Sequence, residues 1–156
     1  MPNLFPQGYE EQLATVSDIE RDEPVGYKPS AAFSFETGDF VRNGSNQVES
    51  VSGVEAWEDW CRICLQTQRY THAAYTTNFG IEYDRVFKSA SRSEAESILT
   101  RQITEALMAD PYGRTLYVSA VTYTWTAADA LIAEVQVVGI NDVTIDISIP
   151  LSGGGY

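Results

Sequence analysis

Residues 57–87, WEDWCRICLQTQRYTHAAYTTNFGIEYDRVF, carry the most informative structural pattern in the chain. Just upstream, Ser52 is followed three residues later by Glu55, the capping-box pattern that satisfies free N–H groups at a helix start. An amphipathic helix is predicted there because apolar or weakly polar side chains recur at helical spacing: Val54, Trp57, Trp60, Cys61, Cys64 and Leu65. The remainder is rich in aromatic residues and predicts an extended segment that ends at Gly80.

A second helix follows this aromatic segment. Ser93 and Glu96 repeat the capping-box pattern, and Asp110-Pro111 predicts the helix end because proline cannot continue the hydrogen-bond ladder. One apolar stripe runs between these signals: Ala95, Ile98, Leu99, Ile103, Ala106 and Leu107. Such a stripe is typical of a helix that packs one face on a core.

Everything after Arg114 predicts strands, because apolar residues alternate with polar or small ones. The three alternating sets are Tyr117, Val121, Tyr123 and Trp125, then Leu131, Ala133, Val135 and Val137, then Val143, Ile145, Ile147 and Ile149. Turns are predicted at residues 126–129 and 139–142. The expected fold class is therefore α+β, with two main helices packed on a C-terminal antiparallel sheet.

The N-terminal part divides into an arm and a hairpin. Residues 1–30 hold four of the six prolines and no regular apolar period, so we expect an extended arm ordered by contacts with neighbours. A mobile tail or a strand pinned along the core is the alternative. Residues 31–50 predict a hairpin with a tight turn at Asn43-Gly44. Residues 31–156 are expected to form one core domain.

Composition limits the possible functions. The formal net charge of -12 argues against a nucleic-acid partner, since such surfaces need clustered Lys and Arg. No apolar run approaches the roughly 20 residues of a membrane helix, and no leader pattern opens the chain. We therefore expect a protein made in the cytoplasm with no membrane partner. No basic residue follows Arg114, so the C-terminal third offers an acidic surface, either for solubility or for a basic partner.

The order of several motifs resembles a known family. Leu65-Gln-Thr67-Gln-Arg69-Tyr70 is followed by Tyr75 and by Asn78-Phe79-Gly80, and Phe33–Phe40 carries an aromatic strand before an aspartate-aromatic pair. This order resembles the wedge and sheath-initiator family of contractile phage tail baseplates, in the branch from phages and defective prophages of Gram-positive bacteria. The resemblance covers roughly residues 33–149.

The resemblance implies a structural protein with a lysozyme-like wedge fold that catalyses nothing and needs no cofactor. It implies a location in the virion tail baseplate after assembly in the host cytoplasm. The implied role is to join the wedge to the tail and to template the first sheath ring by β-strand addition. Implied partners are the tail sheath protein and baseplate wedge proteins, with hub or tube proteins as further candidates.

One implied contact lies after the second helix, in Asp110-Pro111-Tyr112-Gly113-Arg114. Family members carry an acidic-proline-arginine triplet there, implied to bind the helical bundle of neighbouring wedge subunits. In this chain Asp replaces the commoner Glu, and two residues separate Pro111 from Arg114. The alternative is local, because an Arg near a helix C-terminus can hydrogen-bond the last carbonyls.

The second implied contact is the last strand, which the family uses to pair with sheath termini: Val143, Thr144, Ile145, Asp146, Ile147, Ser148 and Ile149. This segment has no Lys and no internal proline, the residues with which monomers guard a sheet edge. A partner strand could therefore add to its backbone. An interior strand would need no guard, and the sequence leaves both possibilities open.

Competing chemistry is weaker in the sequence. Cys61 and Cys64 match the C-x-x-C pattern of a dithiol or half a zinc site, but both lie on the helix stripe, so core packing is favoured. His72 has no nucleophile pattern around it. A carboxylate pair for peptidoglycan cleavage and an adaptor role outside a tail remain as alternatives. The residues predicted to be buried are Trp57, Trp60, Tyr70, Phe79, Leu99 and Leu107.

Overall fold

The computed structural model of the chain describes residues 26–153, so the predicted arm lies almost wholly outside the described residues. Its largest sheet is antiparallel, with strands β5 (Thr115–Ala127), β6 (Ala130–Gly139) and β7 (Thr144–Ser152) in that order. A short turn joins β5 to β6, and a 3-10 turn at Ile140–Asp142 joins β6 to β7. The three predicted strands and both predicted turns are confirmed.

Three helices cover one face of this sheet: α1 (Gly53–Gln66), α2 (Tyr83–Phe87) and α3 (Arg92–Met108). The first two contact β7, α3 contacts β5, and α3 contacts both other helices. Alternate residues of β6 and β7 join the helices in one buried cluster. The α+β class is therefore confirmed, and α2 lies beyond Gly80, in a stretch for which no element was predicted.

Neither of the two predicted helices, α1 and α3, begins with its predicted capping box. Ser52 precedes α1 but makes no side-chain cap hydrogen bond, and Gly53 enters the helix with a left-handed φ of 69°. At α3 the cap is Ser91, whose hydroxyl accepts from the Glu94 N–H at 3.2 Å, so the predicted box at residues 93 and 96 is wrong by two positions. The carboxylate of Glu94 accepts from the Ala90 N–H at 2.9 Å, which satisfies a further donor at this end.

The N-terminal hairpin forms with a different turn. Four short strands are present, β1 (Ser30–Ala31), β2 (Phe33–Ser34), β3 (Asp39–Phe40) and β4 (Ser50–Val51), with β1 paired to β4 and β2 paired to β3. In the chain reversal at residues 43–47, the positive φ belongs to Asn46, at 61°, and not to Gly44. Asn43 accepts from the N–H groups of Ser45 and Gln47, which stabilises a longer loop than the two-residue turn expected.

Most of the predicted core is confirmed, with one error. Trp57, Leu99 and Leu107 are wholly buried, and Trp60 and Phe79 pack partly buried against the core. Tyr70 is 66% exposed and has a left-handed φ of 68°. The tyrosine that follows Arg69 was predicted inside because it is aromatic, but the reversal of the backbone turns its side chain outward.

Candidate assembly surfaces

The last strand lies at an edge of the sheet. β7 pairs with β6 in a regular register, and the Gly139 N–H donates to the Val143 carbonyl and the Gly153 N–H to the Asp129 carbonyl, each at 2.8 Å. Because alternate residues of an antiparallel strand direct their backbone groups to opposite sides, the odd-numbered residues of β7 bond to β6. The N–H and C=O groups of Thr144, Asp146 and Ser148 therefore point away from β6.

Within residues 26–153 these outward groups receive no backbone hydrogen bond from another segment. Their side chains are exposed, whereas those of the intervening isoleucines are buried. Pro150 continues the strand beyond the predicted end at Ile149, because its missing N–H falls on the outward side and removes no bond of the ladder. In the described part of the fold, β7 is therefore an edge strand, a question that the sequence left undecided.

The opposite edge, on β5, is less regular. The register of β5 against β6 shifts between Thr115 and Tyr117, between Val118 and Ala120, and between Trp125 and Ala127. Such bulges twist a strand and interrupt its line of backbone groups. Of the two edges, β7 is therefore the better template for a further strand.

The segment after α3 is built around a buried ion pair. The Arg114 Nε and Nη2 atoms donate to the Asp110 carboxylate at 2.8 and 3.0 Å, and both side chains are at most 3% exposed. The same carboxylate accepts from the backbone N–H groups of Arg114 and Tyr112 at 2.9 and 3.2 Å. The alternative prediction, a local role for Arg114, named the wrong partner: the guanidinium binds this carboxylate and not the last carbonyls of α3.

Aromatic rings enclose the guanidinium of Arg114. Its carbon lies 5.5 Å from the centre of the Trp60 ring and 5.1 Å from that of Tyr112, within cation–π range. Tyr112 is itself 51% exposed and Pro111 is exposed. A partner approaching this loop would therefore touch Pro111 and Tyr112, whereas Asp110 and Arg114 are buried and hold the loop in place. Whether the loop binds a wedge protein stays a prediction.

The described start of the chain packs beside this loop. The Tyr27 hydroxyl donates to the Ile140 carbonyl at 2.7 Å, and its ring lies 5.4 Å from that of Trp57. The indole N–H of Trp57 donates to the Thr115 hydroxyl at 3.0 Å. Gly139 permits this packing, since a Cβ there would lie 2.5 Å from the Trp57 ring. Tyr27 thus packs on the core between α1 and the turn before β7.

Arg69 is a structural residue that the sequence reasoning did not single out. It is 5% exposed, and it bonds to the Gly80 carbonyl, the Glu105 carboxylate and the Gln102 carbonyl at 2.9, 3.3 and 3.4 Å. It therefore fastens the loop after α1, residues 70–79, onto helix α3. The only signal in the sequence was its position in the resembling motif.

The residues weighed for other chemistry lie apart from one another. Cys61 and Cys64 are free thiols in the core, as predicted for packing residues. Burial raises the pKa of the Cys61 thiol well above its usual value and that of Cys64 to about 11. His72 lies on an exposed loop against the Tyr75 ring. Among residues 26–153, no group of three or more His, Cys, Asp or Glu side chains is placed to hold a metal ion.

The fold and these surfaces define a small α+β protein with an unpaired edge on β7 and an exposed, aromatic-rich loop after α1 at residues 70–79. The family model for contractile injection system sheath initiators matches residues 30–148 of the 156-residue chain, and the protein belongs to that family. No functionally curated protein matches the chain significantly. No helix within the described residues is long and apolar enough to cross a membrane.

Membership has direct consequences for function. The protein is a sheath initiator of a contractile injection system, a structural component of a tail-like particle. Its family role implies contact with the tail sheath and with baseplate components. The expectations of a baseplate, sheath-initiator and contractile-tail protein are confirmed at this level.

Proposed function

We propose that this protein templates the first sheath ring by accepting a strand of the sheath subunit at the outer edge of β7. The single observation that carries the proposal is the regular row of outward N–H and C=O groups on Thr144, Asp146 and Ser148. Main-chain hydrogen bonds to such a row supply affinity, and the alternation of side chains sets the register of the added strand.

The electrostatics of the sheet favour a partner without acidic clusters. The exposed face of the sheet carries Glu134 and Asp146, and no basic residue follows Arg114 in the chain. A sheath strand flanked by Lys or Arg would therefore be attracted to this edge. Such steering mainly raises the association rate and discriminates against wrong partners.

We propose that the loop of residues 110–114 joins the protein to a baseplate wedge subunit through Pro111 and Tyr112. The buried pair of Asp110 and Arg114 fixes the loop, and the exposed Tyr112 ring offers a contact of the kind enriched in interfaces. On this proposal the two assembly contacts occupy separate parts of the molecule, so one protein can bridge wedge and sheath. The arm predicted for residues 1–30 would add contacts beside the same loop, where Tyr27 packs.

A proline substitution tests strand addition sharply. Ser148→Pro removes an outward N–H but none of the bonds between β7 and β6. Pro150 already occupies an outward position of the same strand, so the strand accommodates proline there. We expect the variant to keep its far-UV circular dichroism and to lose binding to the purified sheath subunit. Ser148→Ala is the matched control, because it removes only the hydroxyl, and it should bind normally.

Two results would decide the proposal. Sheath binding by a folded Ser148→Pro variant at wild-type affinity would refute strand addition at β7. Tyr112→Ala tests the other contact: it should abolish binding to the wedge subunit and leave sheath binding unchanged. Loss of both activities in a folded Tyr112→Ala variant would contradict the separation of the two surfaces.

A further inference from the structure

The segment between α1 and α2 forms a closed loop with a firm neck. The Arg69 N–H donates to the Ile81 carbonyl and the Ile81 N–H donates to the Thr67 carbonyl, each at 2.9 Å. Every residue from Tyr70 to Asn78 is exposed. Residues 70–79, named here the aromatic loop, therefore project from a neck that is paired at its base.

The neck is held from below by the buried side chain of Arg69. Its guanidinium binds the Gly80 carbonyl on the loop and both Glu105 and the Gln102 carbonyl on α3. Gly80 has a φ of 90°, and a Cβ there would lie 2.5 Å from the Thr67 carbonyl oxygen, so the backbones are in close contact. This construction fixes the base of the loop on the core, which is how rigid scaffolds present binding loops.

Stacked rings stiffen the loop itself. The Tyr75 and Phe79 rings are stacked with centroids 4.2 Å apart, and His72 meets the edge of Tyr75 at 5.7 Å. Phe79 also packs against Trp60 at 6.0 Å. Tyr75 is still 46% exposed and Tyr70 is 66% exposed, so the loop presents aromatic surface to solvent that the fold does not use.

The loop also lacks charge. No Asp, Glu, Lys or Arg occurs between Arg69 and Glu82, although the chain carries 22 acidic and 10 basic residues. Depletion of charge with enrichment of Tyr and Trp is the composition of the centre of a protein interface. An uncharged partner surface fits this loop, because a charge buried against it would find no counter-ion.

We propose that the aromatic loop docks into an uncharged apolar groove of the same baseplate wedge subunit that contacts Tyr112. The reason for choosing this partner is continuity: Phe79 packs on Trp60, Trp60 packs on the Arg114 guanidinium, and Arg114 packs on Tyr112. The loop and residues 110–114 thus form one surface joined through Trp60. This inference rests on the proposed function, since it names more of the wedge contact.

Photo-crosslinking in assembled particles tests the loop and the proposed function separately. A benzoylphenylalanine is placed at position 70 in one protein, at 75 in a second and at 146 on the sheet in a third, and crosslinked proteins are identified by mass spectrometry. We expect positions 70 and 75 to capture the wedge subunit and position 146 to capture the sheath subunit.

Each alternative outcome has a definite meaning. Capture of the sheath, of a second copy of this chain or of no protein from positions 70 and 75 overturns the docking loop, and sheath capture from 146 leaves strand addition intact. Wedge capture from positions 70 and 75 without sheath capture from 146 supports the loop and counts against the sheath contact. Failure at all three positions overturns both.

A binding measurement completes the test. Tyr70 makes no ring contact within the described residues, so Tyr70→Ser should leave the melting temperature unchanged and weaken binding to the purified wedge subunit at least tenfold. Tyr117→Ser is the matched control, because Tyr117 is also exposed, at 54%, but lies on β5. Equal affinity of the two variants would contradict the proposal.

Discussion

Removing one charge of the buried pair after α3 should destabilise the protein strongly. The Arg114 side chain is 3% exposed in the native fold, and in Asp110→Asn it loses its counter-ion. Breaking a buried pair in this way costs about 3–5 kcal/mol, because the remaining charge is left uncompensated in the interior. This is a large share of the roughly 5–15 kcal/mol that stabilises a typical domain.

Urea unfolding followed by tryptophan fluorescence measures the effect. The double variant Asp110→Asn/Arg114→Met keeps an acceptor for the backbone N–H of Arg114 and buries no charge, so it should be more stable than Asp110→Asn alone. The control is the pair of Lys88 and Asp84, whose side chains are 77% and 76% exposed. Lys88→Met should change the free energy of unfolding by less than about 1 kcal/mol.

The structural role of this ion pair is refuted if Asp110→Asn unfolds within about 1 kcal/mol of the wild type, a range typical of surface ion pairs. It is also refuted if the double variant is no more stable than the single one. Either result would mean that the pair is not the element that holds this loop.

Three further predictions concern the core, the neck of the aromatic loop and the thiols. Trp57→Ala should lower the free energy of unfolding by about 3–5 kcal/mol, because Trp57 is wholly buried, and a variant that unfolds like the wild type would contradict that placement. Gly80→Ala should destabilise the fold by more than about 1 kcal/mol, through strain at its positive φ. Gly44→Ala, where a Cβ meets nothing within 4 Å, should be nearly neutral in the same denaturation. Burial raises the pKa of Cys64 from 9.0 to about 11, so the native state holds this proton more tightly than the unfolded state. Stability should therefore fall as pH rises from about 9 to about 11. Because the pKa of the Cys61 thiol is raised as well, Cys64→Ala should reduce this slope without abolishing it, and an unchanged slope would contradict the contribution of Cys64.

The sequence predicted the elements of the core because their signals are local. The stripe of α3 and the alternation of β7 reflect which neighbours along the chain share a face, and the structure buries Leu99 and Ile147 accordingly. Asp110-Pro111 ended the helix within two residues of the observed Met108. The α+β class followed from these local periods alone.

The sequence predicted the candidate surfaces only in part. The edge position of β7 was left open, because strand order in a sheet is set by pairing between distant segments. Asp110 and Arg114 were recognised, but their mutual bidentate contact depends on the chain reversal after α3, where Gly113 has a φ of 62°. Arg69 gave no signal of its own, since its partners on α3 lie more than thirty residues away in the chain.

Local periodicity in the sequence thus specified the two main helices, the three long strands and the faces that they bury, since the period of apolar residues follows directly from backbone geometry. The short helix α2 gave no such signal. Only the folded structure shows which strand edge is unpaired and which charged side chains are buried. It also turned Tyr70 outward through a left-handed backbone and fastened the aromatic loop to α3 through Arg69. These outcomes depend on contacts between residues far apart in the chain, for which no local period exists.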